Sequence, residues 1–117
     1  MFGEMITRRT VLWSIIAACA TVGAWAYRQD VQIQRGAKAF QETGCTSCHL
    51  TGGAPSLQNV GKKFDRKKLK QFIEDPDAVY RERGMQSLNA GYPRMPKPGV
   101  KDNDVDDIVT YLQSLKD

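Results

Sequence analysis

Histidine and cysteine are scarce in this 117-residue chain, which has one histidine, His49, and three cysteines, Cys19, Cys45 and Cys48. Both tryptophans, Trp13 and Trp25, lie near the N-terminus, so residues 28–117 contain none. Alternating runs of β-branched and aromatic residues are essentially missing, as are internal repeats and low-complexity tails. Each shortage excludes something. A lone histidine rules out iron held by two histidines and leaves a closed structural zinc site, which takes four Cys or His ligands, short of donors. With Cys45 and Cys48 separated by only two residues and Cys19 far upstream, residues 28–117 hold no spare cysteine for a disulfide staple. Without strand patterning the expected fold class is all-α.

What is present is most concentrated in Cys45-Thr46-Ser47-Cys48-His49. Two thiols flanking two residues, followed at once by histidine, form the attachment spacing of c-type haem. Each thiol can add across a porphyrin vinyl group, and the histidine can turn under the ring to the iron. The expected cofactor is one haem c, covalent through Cys45 and Cys48, with His49 as an iron ligand. A thioredoxin-like redox pair would need a strand and helix around the cysteines, and the flanking glycines offer neither.

Residues 10–27 run without a charged side chain. As helix they would cover about 27 Å, close to the hydrocarbon thickness of a bilayer. Arg8 and Arg9 precede them, so the positive-inside rule sets residues 1–9 in the cytoplasm and residues 28–117 on the periplasmic side of a bacterial inner membrane. Thr7-Arg8-Arg9 also has a twin-arginine look, read here as topology charges. The apolar run is longer than an ordinary signal core, which favours a retained single-pass anchor. Cleavage after Ala24-Trp25-Ala26 and lipid attachment at Cys19 are the alternatives.

Residues 28–117 are enough for one small domain whose apolar core is marginal by itself, so a large buried porphyrin would supply the missing staple. Ile33, Ala37 and Phe40 mark a helix over residues 31–43 that ends at Gly44. Residues 50–63 read as loop. Asp65 suits the N-cap of a helix carrying Leu69, Phe72 and Ile73 that stops before Pro76. A short turn over residues 78–83 follows, and prolines and glycines over residues 89–100 preclude regular structure. Asp102 or Asp104 then caps a final helix with Val105, Ile108, Val109, Leu112 and Leu115 at helical spacing.

This order of elements resembles the class I c-type cytochromes. The residues that carry the likeness are Gly36 and Phe40 ahead of the Cys-x-x-Cys-His motif, Ala54-Pro55-Ser56-Leu57 after it, Phe72-Ile73-Glu74-Asp75-Pro76, the Met95-Pro96 pair and Tyr111-Leu112. The resemblance implies a class I cytochrome c fold, helices around one haem with long loops, behind a single transmembrane helix. It implies close packing of the first and last helices at Gly36, with Phe40 and Tyr111 wedged beside it. It makes Met95 the sixth iron ligand; Met1 and Met5 precede the anchor, and Met85 is the remaining alternative. Pro55, which could be a plain turn residue, would lend its carbonyl to the second ring nitrogen of His49 and so fix the imidazole. Many relatives carry a tryptophan where Phe72 stands, bound to a haem propionate. That contact is missing here, and Tyr92, Arg94 or Lys97 are substitutes.

Histidine and methionine together would close both faces of the iron, leaving a centre that passes electrons and takes no small-molecule substrate. The expectation is an electron-transfer protein rather than an enzyme, with redox proteins as partners and no nucleic acid. Six of the fifteen Lys and Arg residues in 28–117 fall between Lys62 and Lys70, a run that could steer an acidic partner or be an ordinary solvated face. Only residues 28–30 join the apolar run to the first domain helix, and no Gly, Pro or Ser tether is present. That favours a fixed subunit of a membrane oxidoreductase complex over a swinging carrier. A free-standing carrier is the alternative, and a haem enzyme or gas sensor with Met95 displaced is a further one.

Overall fold

A computed structural model describes residues 2–50, 54–84 and 94–116. The described residues are helical or irregular and contain no strand. Contacts divide the chain into Met1–Val31 and Gln32–Asp117. The six helices are α1 (Phe2–Glu42), α2 (Thr46–His49), α3 (Val60–Lys63), α4 (Arg66–Glu74), α5 (Pro76–Arg83) and α6 (Asp102–Ser114).

The first unit belongs wholly to α1. Its Val11, Leu12, Trp13, Ile15, Ile16, Val22 and Trp25 side chains are exposed, and α1 is long and apolar enough to cross a membrane. The polar side chains of this stretch are satisfied locally. Thr10 Oγ1 donates to the Ile6 carbonyl at 2.9 Å, Ser14 Oγ to that of Thr10 at 2.9 Å and Thr21 Oγ1 to that of Ala18 at 2.8 Å. Hydroxyls bonded back into their own helix suit hydrocarbon, where no water is available to them. The expected break over residues 28–30 is absent, since helix runs through Arg28, Gln29 and Asp30. None of the three is a glycine or proline, so nothing in the local sequence stops propagation.

In the second unit the end of α1 sets the frame. Gly36, Ala39 and Phe40 are buried, while Ile33 and Ala37, expected on the same stripe, are half-buried. Gly36 is needed for steric reasons: a Cβ there would collide with the Asp107 carbonyl and stand 2.8 Å from Tyr111 Cβ. Its hydrogen lets the backbones of α1 and α6 touch, the close packing expected at this position. Phe40 fills the adjoining space, 5% exposed, with its ring centroid 5.4 Å from that of Tyr111.

Helix α6 supplies most of the core. Val105, Ile108, Val109 and Leu112 are buried together with Val60, Leu69 and Ile73, and each fully buried aliphatic side chain is worth about 1.5–3 kcal/mol. Asp102 and Asp104 do not cap this helix; Lys101 is the N-cap residue and the aspartates occupy the first turn. There their charges favour the positive end of the helix dipole. Helix α4 starts as expected, with the Asp65 side chain accepting the Lys68 N–H at 2.8 Å. Pro76 ends α4 and also begins α5, a full two turns where only a short one was expected. Asp75 accepts the Ala78 N–H at 3.2 Å, and proline at the first helical position loses no hydrogen bond. Val60–Lys63, expected as loop, forms the single turn α3 because Gly61 fits against Gln113 of α6, where a Cβ would lie 3.0 Å from the Gln113 Cα.

Gly36→Ala is expected to destabilise the second unit by at least about 1–3 kcal/mol, the usual cost of overpacking. Gly99→Ala, at a position with nothing within 4 Å of the added carbon, should leave thermal unfolding unchanged. Equal melting temperatures for the two variants would contradict the close contact.

Candidate functional site

The last turn of α1 positions the Cys-x-x-Cys-His motif. Gly44 takes φ +84°, the left-handed conformation that glycine adopts without a Cβ penalty. The Gly44 N–H then donates to the Gln41 carbonyl at 3.1 Å and the Cys45 N–H to the Phe40 carbonyl at 3.3 Å. Those two bonds form a Schellman motif, which satisfies carbonyls the helix would leave open and reverses the chain. Cys45 is thereby fixed beside Phe40 and packs against the core. Burial pushes its thiol above the ordinary range.

Cys48 and His49 follow on the single turn α2, with the His49 N–H donating to the Cys45 carbonyl at 3.1 Å. Cys48 is exposed, and neither it nor Cys45 is in a disulfide. The His49 ring lies 6.5 Å from that of Phe40, tilted by 43°. Its Nδ1 is 3.1 Å from the Pro55 carbonyl oxygen. A carbonyl can only accept, so Nδ1 carries the proton and Nε2 keeps its lone pair for a metal. The Cys48 carbonyl accepts the Ala54 N–H at 3.1 Å, which ties the Pro55 segment back to the motif.

Met95 stands in residues 94–101, an irregular stretch that leads into α6. Its N–H donates to the Tyr80 hydroxyl at 2.9 Å. Arg94 lies with its guanidinium 4.8 Å over the Tyr80 ring and its Nε 3.5 Å from Asp77 Oδ1. Met85 and Tyr92 lie outside the described residues. Lys97 is exposed, and Arg94, one of the suggested propionate partners, is engaged by Asp77 and Tyr80. The donor set suits a porphyrin. Among the described residues no three His, Cys, Asp or Glu side chains gather to hold a bare metal ion. A group that brings four nitrogens needs only two axial atoms and two thiols.

Half of the basic run is paired from within. Arg66 reaches Thr110, Gln113 and Asp106, Lys68 pairs with Glu82 at 2.9 Å, and Lys70 lies 3.9 Å from both Glu74 and Asp106. The exposed Lys62, Lys63 and Lys67 have no ion-pair partner among the described residues. Sequence reasoning missed Tyr80 and Asp77, whose relation to Met95 arises only in the fold. The one available signal was an aromatic on the apolar side of a short helix.

The family model for cytochrome c matches residues 33–116. A curated relative, cytochrome c oxidase subunit 2 of Alkalihalophilus pseudofirmus, is 29% identical over 89 residues, 70% of this chain and 25% of that protein. The chain therefore spans about a quarter of the length of that relative. No solved structure matches. With its helical fold and attachment motif, the chain belongs to the cytochrome c family: it is a class I c-type cytochrome whose covalently bound haem c carries electrons, with Cys45 and Cys48 at the attachment spacing. Its N-terminal apolar helix is consistent with anchoring in a membrane.

Replacing both Cys45 and Cys48 with Ala is expected to remove all pigment from the denatured polypeptide, while either single substitution keeps a haem on one thioether. Haem absorbance and intact mass after acid-acetone extraction check this; pigment lost from the unsubstituted chain would contradict covalent attachment.

Proposed function

We propose that the chain is a fixed electron-transfer subunit of a membrane-bound oxidoreductase complex, its haem held through Cys45 and Cys48 and ligated by His49 and Met95. In this reading residues 1–9 are cytoplasmic, residues 10–27 span a bacterial inner membrane and residues 28–117 carry the haem on the periplasmic side. The orientation rests on Arg8 and Arg9 ahead of the apolar run. A haem in a protein site supplies a one-electron couple, and the chain's contribution is to fix both axial atoms so that little rearranges on transfer. The Pro55 carbonyl, 3.1 Å from His49 Nδ1, holds the imidazole in one tautomer and makes it a stronger donor. Met95 would supply a thioether ligand, a type that raises the reduction potential of a bound haem.

The observation that carries the fixed-subunit reading is α1 itself. Residues 28–30 are helical within Phe2–Glu42 and contain no Gly, Pro or Ser of the kind that makes a flexible tether. A carrier that swings between partners needs a flexible linker to sweep out volume. The partial match to an oxidase subunit 2 supports the same reading, as that relative is by name part of an oxidase. Within the basic run, Lys62, Lys63 and Lys67 are free to meet an acidic partner surface.

Gentle detergent extraction of native membranes should recover other redox subunits with this chain, and recovery only as a lone monomer, anchored or cleaved after Ala26, would favour a free-standing carrier. Met95→Ala is expected to abolish the thioether–iron charge-transfer band of the ferric protein; persistence of the band would move the ligand to Met85.

A further inference from the structure

Three aromatic rings of the second unit touch in series. Phe64 meets Phe72 edge-on with centroids 5.2 Å apart, and Phe72 meets Tyr80 in the same way at 6.5 Å. Tyr80 is buried, whereas Phe64 and Phe72 are half-buried and keep ring surface outside the helical core. A guanidinium lies on each end of the series, Arg94 over Tyr80 at 4.8 Å and Arg83 over Phe64 at 5.5 Å. The two ends differ in charge. Asp77 draws Arg94 at 3.5 Å, but Arg83 has no ion pair among the described residues.

That difference sets Arg83 apart. The other arginines of the unit, Arg35, Arg66, Arg81 and Arg94, each pair with an aspartate: Asp107, Asp106, Asp75 and Asp77 in turn. Glu82, beside Arg83 in sequence, is held instead by Lys68 and Gln71, each at 2.9 Å. Arg83 is in the last turn of α5, ahead of the left-handed Gly84, and a helix C-terminus favours any cation. The dipole gives no reason for the group to lie over a ring. Stacking on Phe64 holds the guanidinium against apolar surface and leaves its N–H donors for an acceptor.

The covalent haem carries such an acceptor. Its vinyl edge is taken by the two thiols, so the propionates leave the opposite edge of the macrocycle. A carboxylate lying against apolar ring surface is costly without a donor. Residues 28–117 have no tryptophan to offer an indole N–H, whereas a guanidinium fork matches a carboxylate with two parallel hydrogen bonds. The Tyr80 end of the series is tied to Met95, whose N–H the Tyr80 hydroxyl accepts at 2.9 Å. Two ring contacts away stands Arg83.

With Met95 as the proposed iron ligand, on which this rests, we infer that Arg83, carried on Phe64, is the cation that receives a haem propionate. Arg94 is not, because Asp77 already holds it.

The test uses the full-length holoprotein, and resonance Raman scattering from its haem reads the propionate bending mode directly. Arg83→Leu keeps an apolar contact for Phe64 and removes every donor. It is expected to move the mode to lower frequency as the charge-assisted hydrogen bonds are lost, and to lower the reduction potential, because a carboxylate stripped of its cation favours ferric iron. Lys67→Leu removes another unpaired cation, from α4, and should leave the mode where it is. An unmoved mode in Arg83→Leu would overturn the inference whatever the potential did, leaving Arg83 a surface cation; an equal movement in Lys67→Leu would do the same. If Arg83→Leu fails to accumulate, Arg83→Lys keeps the charge without the fork, and a mode unmoved there counts equally against it. Failure of the ligand assignment has its own signature, a thioether–iron charge-transfer band retained in Met95→Ala, which the propionate mode does not report.

Discussion

The contact between the backbones of α1 and α6 at Gly36 is the constraint from which the rest of the cytochrome unit follows. Because Gly36 has no side chain, the Asp107 carbonyl can lie against it, and Phe40 and Tyr111 close over the same crossing. One turn later α1 must end, and Gly44 ends it with a left-handed residue that sends Cys45 back beside Phe40. Phe40 therefore belongs to both the helix crossing and the haem motif, its ring 5.4 Å from Tyr111 and 6.5 Å from His49. A shift at the crossing would carry the Cys45 thiol and the His49 imidazole with it. The Arg35–Asp107 ion pair spans the same contact at 3.5 Å, but Arg35 is largely exposed, so it adds little beside the packing.

The site was legible in unequal parts, and the inequality has a physical origin. Cys45, Cys48 and His49 are close in sequence, so their spacing alone states the chemistry. Gly44 and Asp65 were legible as helix boundaries because capping is local. Pro76 was read only as a stop for α4, although the Asp75-Pro76 pair is equally a start signal, with a carboxylate cap and a proline at the first helical position. Arg28, Gln29 and Asp30 were read as a connection because the change from apolar to polar residues suggested a boundary. A helix can pass through such a change when no residue breaks it, and α1 does. The relation of Tyr80 to Met95 was not legible at all: fifteen residues separate them, and no periodicity encodes a phenol meeting an amide across two elements.

Charge gives a further case where the fold alters what composition suggests. Six basic residues between Lys62 and Lys70 look like one docking stripe. Helical geometry sorts them by direction. Arg66 and Lys70, four apart on one face of α4, reach Asp106 of α6, and Lys68 turns to Glu82 of α5. These pairs are partly exposed and add little to stability. Their larger effect is on the field, because a paired lysine contributes little to long-range attraction. Steering would fall to Lys62, Lys63 and Lys67, half of the run, and would fade with rising salt as exposed charges are screened over about 8–10 Å.

The two residues proposed to hold the iron, His49 and Met95, are tied down in different ways, and the difference follows from their chemistry. His49 is rigid once its ring plane is set, so one hydrogen bond from Nδ1 to the Pro55 carbonyl can decide both tautomer and orientation. The support comes from six residues away and is nearly part of the motif. Met95 has no ring plane to set, and its unbranched side chain turns about three bonds, so its placement starts from where its backbone is held. A nearby residue would move with the segment it was meant to steady. The tie observed is to α5, itself packed on α4 through Tyr80 and Phe72: the Tyr80 hydroxyl accepts the Met95 N–H at 2.9 Å. In a chain with a single histidine and no disulfide to stiffen residues 28–117, the placement of Met95 depends on contacts between elements, while that of the His49 ring depends on the local turn.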